Sequence, residues 1–377
     1  MKQFFLHVIS FDIPYPPTYG GVIDVYYKLR ALKQAGVQII LHAFQYNRPP
    51  AKELERLCEE VHYYDRFSLI KSFPIGKPHI VTSRKHPALL QRLLQDEIPI
   101  LFEGLHTTYY LGHPDLAPRK LLVRMHNVEW DYYSQLARQE RSGPARQYFR
   151  MESRLLQSWE KVLAHADHIL TISPGDTEYY QSRYQGVAYL PAFHPYQKVE
   201  TLTGRGTYCL YHGNLGVAEN EQAVFFLIKE IFAHTSIPLK IAGSNPGEAL
   251  IRLVSAYDHI TLHHHPSEEE MNSLLAEAHI HVLPTFQHTG IKLKLLSSLY
   301  KGRFVVVNEQ MVYKSGLEFG TRICVNPREF LNTIEELWME EFDEIDLAQR
   351  EAAIGETFST RKNAQLLTDM IRQARQT

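Results

Sequence analysis

The chain has 377 residues, of which 44% are hydrophobic and 22% charged, with a formal net charge of -2 and a pI near 6.9. This length suits two domains that each bury a core, and the lack of a basic excess argues against nucleic acid as a partner. The three cysteines are far apart and form no CxxC pair, which disfavours a zinc ribbon or a disulfide framework and fits a reducing, cytoplasmic setting.

Apolar runs alternate with amphipathic stretches through the first half of the chain. The opening MKQFFLHVIS leads into Asp12 and a proline cluster, so we interpret it as a strand rather than a signal peptide. Helices are predicted at Gly21–Ala35, at Arg146–Ala166 and after the cap residue Ser173 with Pro174. Nearly continuous apolar runs predict parallel strands, covered on both faces, at Gln3–Ser10, Val37–His42, Ile98–Phe102, Leu121–Met125 and His168–Ile172.

The alternation pauses where prolines and glycines cluster, between Tyr189 and Gly206, and then resumes. Further strands are predicted at Thr207–His212, Leu239–Ala242, Ile260–His264, Ile280–Leu283 and Phe304–Val307. Further helices are predicted at Asn220–Ala233, Ser267–Ala278 (with a capping box), Ile291–Lys301 and Pro327–Met339. No apolar run approaches the roughly 20 residues that span a bilayer.

This order predicts an α/β protein of two doubly wound, Rossmann-like halves. We expect a first domain over residues 1–190, a linker over 191–206, a second domain over 207–357 and a last helix within 358–377. In doubly wound sheets, ligands bind beyond the carboxyl ends of the strands. The segments that directly follow the strands are therefore the first candidates for a functional site.

Two such segments lie in the first half. Gly20 and Gly21 open the first helix, where backbone N–H groups can approach an anion, although a tight turn without a ligand explains the pair equally well. The segment Arg124–Asp131 places five polar side chains after a buried strand, where a site is expected. The alternative is a histidine that is hydrogen-bonded to the loop, with Trp130 filling the core.

Two more segments lie in the second half. Gly213 and Asn214 follow its first strand, in a glycine-containing turn that has neither dinucleotide-binding spacing nor a P-loop lysine. The segment Thr289-Gly290-Ile291-Lys292-Leu293-Lys294 begins a helix, and two lysines at a helix start favour a bound anion over solvated surface charges. His263–His265 cannot converge on one metal ion if they lie in a strand, because successive side chains point to opposite faces. There is no GxSxG or HExxH pattern.

In their order and spacing, these segments resemble glycosyltransferase family 4, a family of retaining enzymes with the GT-B fold. The similarity runs nearly end to end. It rests on the glycine pair after the first strand and on six further strings. These are RMHNVEW at 124–130, ADHILTIS at 166–173, YHGNL at 211–215, IAG at 241–243, GIKLK at 290–294 and KGRFVV at 301–306.

The resemblance implies two Rossmann-like domains that face one another across a cleft, with the last helix crossing back to the first domain. The second domain would hold a nucleoside diphosphate sugar, and the first a glycan or lipid-linked acceptor, with peripheral contact to a membrane. His126 would act near the reacting carbon, Gly20 and Gly21 would approach the donor phosphate, and Lys292 and Lys294 would neutralise the diphosphate. Donor contacts would also come from Gly213, Asn214, Thr289, Gly290 and Ser297, and acceptor contacts from Glu103, His106, Asn127 and Glu129.

No metal and no other cofactor are expected, and the departing phosphate would assist deprotonation of the acceptor. The sequence departs from the family in two segments. Ser297 and Thr289 stand where paired glutamates usually contact the ribose and the donor sugar, and His212–Asn220 lacks the usual Arg and Lys pair. The leading interpretation is a retaining hexosyltransferase in polysaccharide or glycoconjugate synthesis. The alternative is a catalytically silent GT-B protein that binds a nucleotide or glycan, or partners an active transferase. An epimerase or a phosphorylase of the same fold is a weaker third interpretation.

Overall fold

A computed structural model describes residues 4–68, 76–287 and 292–373. These residues form two compact units, each built on one sheet of parallel strands, which confirms the predicted α/β fold. Unit 1 contains the described residues up to Pro195 together with those from Phe358 onward. Unit 2 contains the described residues from Tyr196 to Thr357.

The sheet of unit 1 has seven parallel strands in the order β3-β2-β1-β4-β5-β6-β7. Their bounds are β1 Phe4–Ser10, β2 Val37–Gln45, β3 Glu60–Asp65, β4 Ile100–Glu103, β5 Leu121–Met125, β6 His168–Thr171 and β7 Val187–Tyr189. The α-helices of this part of the chain are α1 Gly20–Gln34, α2 Lys52–Leu57, α3 His79–Thr82, α4 Pro87–Leu93, α5 Glu129–Gln139, α6 Gly143–Trp159 and α7 Pro174–Gln181. Turns of 3-10 helix cover Leu105–Tyr110, Pro114–Leu116 and Glu160–His165.

The sheet of unit 2 has six parallel strands in the order β10-β9-β8-β11-β12-β13. Their bounds are β8 Cys209–His212, β9 Leu239–Gly243, β10 Ile260–His264, β11 Ile280–Leu283, β12 Phe304–Asn308 and β13 Arg322–Cys324. Its α-helices are α8 Ala218–Phe226, α9 Glu248–Val254, α10 Glu268–Glu277, α11 Leu293–Lys301, α12 Glu309–Val312, α13 Pro327–Met339 and α14 Glu344–Thr357. The end of α8 continues as a π-helical turn, Leu227–Ile231, and a 3-10 turn, Phe232–His234.

The last helix, α15 Thr360–Arg372, belongs to unit 1 and packs on α1. Leu367 and Ile371 share one core with Val25 and Leu29, on the face of the sheet opposite to the core around Leu156. His194 connects to the start of α15, because its Nε2 lies 2.7 Å from the carbonyl oxygen of Phe358. Among the residues that the structure describes, none of the helices has the length and hydrophobicity that crossing a bilayer requires.

Three strands were not predicted from the sequence, and all three lie at the edge of a sheet. β3 is partly exposed, and β7 and β13 have three residues each, so none shows a long apolar run. Both predicted helix caps, Ser173 and Ser267, are confirmed. Ser173 Oγ accepts from the backbone N–H of Asp176, and Ser267 forms a reciprocal capping box with Glu270.

The two loops at the carboxyl ends of β8 and β9 approach each other so closely that only glycine fits. A Cβ atom on Gly243 would lie 1.8 Å from the carbonyl oxygen of Gly213. We therefore predict that Gly243→Ala lowers the free energy of unfolding by about 1–3 kcal/mol or more, as overpacking does. The matched control is Gly355→Ala in helix α14, where a Cβ would meet no atom within 4 Å. Thermal denaturation of both variants tests this, and an unchanged melting temperature for Gly243→Ala would contradict it.

Candidate functional site

In each sheet, the strands that come first in the chain extend from the centre towards one edge, and the later strands extend towards the other edge. The point between the two central strands, where the direction reverses, is the topological switch point. In unit 1 the switch point lies between β1 and β4, and in unit 2 between β8 and β11. The carboxyl ends of these adjacent strands are where doubly wound sheets bind ligands. Most of the described residues that the sequence selected follow these strands or the neighbouring β5.

A buried lysine links helix α1 to the carboxyl end of β4. Asp24 and Lys28 are four positions apart and therefore lie on one face of α1. Lys28 Nζ donates to Asp24 Oδ2 at 2.9 Å and to the two carboxylate oxygens of Glu103 at 2.7 and 2.8 Å. None of the three side chains is exposed to solvent. Glu103 was predicted beside the acceptor, whereas its cationic partner Lys28 was not predicted.

Arg124 completes this network from the end of β5. Its Nη2 lies 3.0 Å from Asp24 Oδ1 and its Nε 3.2 Å from Asp24 Oδ2, and Arg124 also donates to the carbonyl oxygen of Leu190. The backbone N–H of Phe193 donates to Asp24 at 2.8 Å. Burial alone would raise the pKa of Asp24, but attraction to Arg124 and Lys28 outweighs it and holds that pKa well below its ordinary value.

His126, the predicted catalytic residue, lies on this network. Its Nε2 is 3.0 Å from Glu103 Oε2, its Nδ1 is 3.9 Å from Asp24 Oδ2, and only 9% of its side chain is exposed. The Phe11 ring contacts it edge-on, with 5.4 Å between the ring centroids. Both ring nitrogens thus face buried carboxylates.

Asp24, Glu103 and His126 form the only group of three potential metal ligands within 4.8 Å that the described residues contain. The Lys28 ammonium already lies against both carboxylates and supplies the positive charge that a cation would bring. This donor set therefore does not fit a resident metal. His263–His265 belong to no such group within the described part of the chain.

A second pair of titratable groups lies near His126. His106 follows β4 in a 3-10 turn, and Glu129 begins helix α5. His106 Nδ1 and Glu129 Oε1 lie 3.9 Å apart, and both are buried without a hydrogen-bond partner in the described residues. Burial raises the pKa of Glu129 to about 8, although a hydrogen bond with the Asn127 side chain opposes that shift.

The glycine pair opens α1, as predicted, but the requirement for Gly21 comes from packing. A Cβ there would lie 2.7 Å from Cζ of Phe11, the ring that contacts His126. Gly20 is the first residue of the helix. No side chain caps this helix start, and its first turn holds no acidic residue, so its N–H groups remain suited to an anion.

In unit 2, the loop after β8 is held by its own hydrogen bonds. Asn214 Oδ1 accepts from the backbone N–H of Gly216 at 3.1 Å, and the Asn214 carbonyl oxygen accepts from Asn220 Nδ2 at 2.9 Å. Gly213 lies against Gly243. The Asn214 side chain is thus engaged within the loop.

The two lysines of unit 2 have different partners. Helix α11 begins at Leu293, so Lys292 precedes it, whereas Lys294 lies in its first turn. Lys292 Nζ is 3.1 Å from Glu219 Oε1, a charged partner that was not predicted. Lys294 Nζ lies 2.8 Å from Asn220 Oδ1 and 3.1 Å from the Tyr211 hydroxyl, which are both uncharged.

Burial lowers the pKa of Lys294 to about 8, which Glu219 partly offsets. Ser297, one turn further along, donates from its Oγ to the Lys294 carbonyl oxygen at 2.8 Å and is 8% exposed. Thr289 and Gly290, the other donor contacts expected in this segment, lie outside the described residues.

The buried charges of unit 1 predict a large cost for removing one partner. Lys28→Met leaves Asp24 and Glu103 without their shared cation, so we expect the free energy of unfolding to fall by about 3–5 kcal/mol. The double variant Lys28→Met/Glu103→Gln keeps the Asp24–Arg124 pair and should recover part of that loss. Chemical denaturation of the variants measures both effects, and a double variant no more stable than Lys28→Met would contradict the assigned pairing.

Comparison with known proteins agrees with this architecture. Residues 206–340 match the family model "Glycosyl transferases group 1". A Klebsiella pneumoniae protein described as "Uncharacterized 44.6 kDa protein in cps region" is 26% identical over 341 residues, which cover 86% of this chain and 88% of that protein.

Among solved structures, TarM is similar with a TM-score of 0.67 at 8% identity, over 99% of both chains. WaaG, a glycosyltransferase involved in lipopolysaccharide biosynthesis, is similar with a TM-score of 0.65 at 11% identity, over 98% of this chain and 100% of its own. The catalytic domain of starch synthase IV from Arabidopsis thaliana, bound to ADP and acarbose, has a TM-score of 0.59 at 12% identity, over 98% of this chain and 99% of its own. The fold of the chain is GT-B, and the family match within unit 2 together with this fold supports a glycosyltransferase.

Proposed function

We propose that the protein is a metal-independent, retaining hexosyltransferase similar to glycosyltransferase family 4. It would move a hexose from a nucleoside diphosphate sugar to a glycan or lipid-linked acceptor. A lipid-linked acceptor would bring the protein to a membrane surface. The relatives support this direction, because WaaG acts in lipopolysaccharide biosynthesis and starch synthase IV was solved with a nucleoside diphosphate.

The observation that carries the proposal is the environment of Lys294. It lies at the start of α11, within the segment that matches the glycosyltransferase model, and beside the switch point of unit 2. The oxygens that contact its ammonium belong to Tyr211 and Asn220 and are uncharged. Its positive charge is therefore available to an anion, and the N–H groups of the helix start add to that attraction.

Lys292 is less suited to this role, because Glu219 already neutralises it. An anion there would have to compete with a carboxylate for the same ammonium. We therefore assign the diphosphate to Lys294, with Lys292 helping only if Glu219 moves away. Asn214 and Gly213 would line the same end of the sheet from β8.

A silent GT-B protein is the second candidate, and Ser297 favours it. Its Oγ already donates to the Lys294 carbonyl oxygen, and its short neutral side chain offers the ribose no carboxylate. A nucleotide without turnover would be the outcome expected of such a protein.

The test is a thermal-shift panel of UDP-, GDP-, ADP- and dTDP-sugars in the presence of EDTA. A ligand at 100 times its dissociation constant should stabilise the protein by about 2.7 kcal/mol. Lys294→Met should weaken that binding, more at low than at high ionic strength, since salt screens a partly exposed charge. The control is Lys301→Met on the same helix, because the Lys301 ammonium also contacts an asparagine oxygen, at 2.7 Å, but is paired with the Glu200 carboxylate at 3.4 Å.

Several outcomes would contradict the proposal. If no nucleotide sugar raises the melting temperature, unit 2 does not bind a donor. If manganese is required, metal independence is wrong. The anomeric configuration of the product, measured by proton NMR, tests retention.

A further inference from the structure

His106 and Glu129 present two unsatisfied atoms to each other. His106 Nδ1 and Glu129 Oε1 are 3.9 Å apart, and neither has a hydrogen-bond partner among the residues that the structure describes. A buried polar atom left unpaired costs about 1–3 kcal/mol. Two such atoms aimed at each other need an explanation, and a catalytic pair that closes when substrate binds provides one.

Gly104 leaves room for the His106 side chain in this direction, and a neighbouring ring packs against it. Gly104 has a φ of +71°, and a Cβ there would lie 2.8 Å from His106 Nδ1. The Phe11 ring packs against the imidazole with 5.5 Å between the ring centroids, and Arg84 fixes Phe11 by donating twice to its carbonyl oxygen. The side chain is 21% exposed, and Nδ1 contributes nothing to that surface. The accessible part of the ring is therefore on the side away from Glu129.

His126 contrasts with His106 in this respect. Its Nε2 is hydrogen-bonded to Glu103, its Nδ1 faces Asp24, and its side chain is only 9% exposed. His106 Nε2 has no hydrogen bond within the described chain, and the ring is more than twice as exposed. Of the two histidines, His106 is the one with a nitrogen left for a substrate.

We propose that His106 removes the proton from the acceptor hydroxyl, and that Glu129 is the positioning residue that directs it. This assignment rests on the proposed glycosyl transfer. The acceptor proton passes to His106 Nε2, and the acceptor oxygen forms its bond to the anomeric carbon. The bond from that carbon to the diphosphate breaks, and the diphosphate leaves with the electron pair. His106 Nδ1–H donates to Glu129 Oε1, which turns the Nε2 lone pair towards the acceptor.

The distance fits a pair that tightens during the reaction. The two atoms must approach by about 0.7 Å to reach the 3.2 Å limit of ordinary N–H···O bonds, and catalytic hydrogen bonds are often long without substrate. Attack from the face of the leaving group fixes the product anomer, whereas the base only has to reach the acceptor oxygen. The assignment is therefore compatible with retention, and it replaces the phosphate-assisted deprotonation that the resemblance implies.

The charged surroundings give the pair a defined pH dependence. Burial, then Arg84 and His126, keep the pKa of His106 well below its ordinary value, so the ring is uncharged at neutral pH. Glu129, with its pKa near 8, must be ionised to accept from Nδ1–H. Turnover should therefore rise with pH through about 8. The other titratable and charged groups that act on the pair are Arg66, Tyr133, Glu160 and Asp176.

The first test needs no substrate. Histidine ring nitrogens labelled with 15N would be followed by NMR as a function of pH, and the spectrum of His106→Gln would assign the His106 signals. A change in the His106 signals near pH 8 that is absent in Glu129→Gln is the expected result. Identical His106 titrations in wild type and Glu129→Gln would overturn the proposal.

The second test measures turnover with the nucleotide sugar selected by the thermal-shift panel, using its hydrolysis, in which water replaces the acceptor. His106→Gln should lower kcat by about 10²–10⁴-fold, the usual contribution of a general base, with the nucleotide Kd within about twofold. Glu129→Gln should remove the rise near pH 8. An unchanged kcat in His106→Gln would overturn the proposal.

Glu152→Gln is the matched control, because Glu152 is also a buried glutamate with one unpartnered oxygen, and its other oxygen accepts from the backbone N–H of Ile80. It should keep both the turnover and the pH profile of the wild type. If the wild type neither binds nor turns over any nucleotide sugar, the proposed function fails. The NMR titration alone then decides whether His106 and Glu129 act as a pair.

Discussion

The Lys28 ammonium, fixed between the carboxylates of Asp24 and Glu103, is the interaction on which the acceptor side of unit 1 depends. Through Asp24 it joins Arg124, so two cations and two anions balance without solvent. Such a group holds together only while every member is present, because removing one leaves a buried charge unpaired. Helix α1 and the ends of β4 and β5 are thereby locked in one arrangement, and His126 is attached to it through Glu103.

The side chains that could act on a substrate lie beside this network of buried charges. His126 has both nitrogens directed at this network, whereas His106 Nδ1 and Glu129 Oε1 beside it have no hydrogen-bond partner among the described residues. Unit 2 shows a related contrast. There Glu219 neutralises Lys292, while the contacts of Lys294 are uncharged. In unit 1 the groups best suited to a substrate each have an atom without a hydrogen-bond partner, and in unit 2 the lysine best suited to an anion has only uncharged contacts.

The sequence predicted the central strands well and missed three of the four edge strands, whereas the fourth, β10, was predicted with the bounds observed. β5 and β11 were predicted with the bounds observed, because strands buried on both faces are continuous apolar runs. β3 was missed because an edge strand is partly exposed and its apolar pattern is broken. Asp24 and Lys28 could have been noticed in the sequence, because they interrupt the apolar face that Val25 and Leu29 form on α1. Charged residues within the buried face of a helix indicate a partner in the core, but not which one.

By itself, the sequence determined the two doubly wound halves and the loops after their strands as the place of a site, because strand periodicity and chain order are properties of neighbouring residues. Only the tertiary structure decided which side chains meet there. Lys28 and Glu103 are 75 positions apart, and Arg124 and Asp24 are 100 apart. Whether such residues bond depends on strand register and on tenths of an ångström, which no local pattern encodes. The same limit applies to His106 and Glu129. The resemblance named both among the acceptor contacts, but their proximity is seen only in the structure, where β4 and β5 are adjacent.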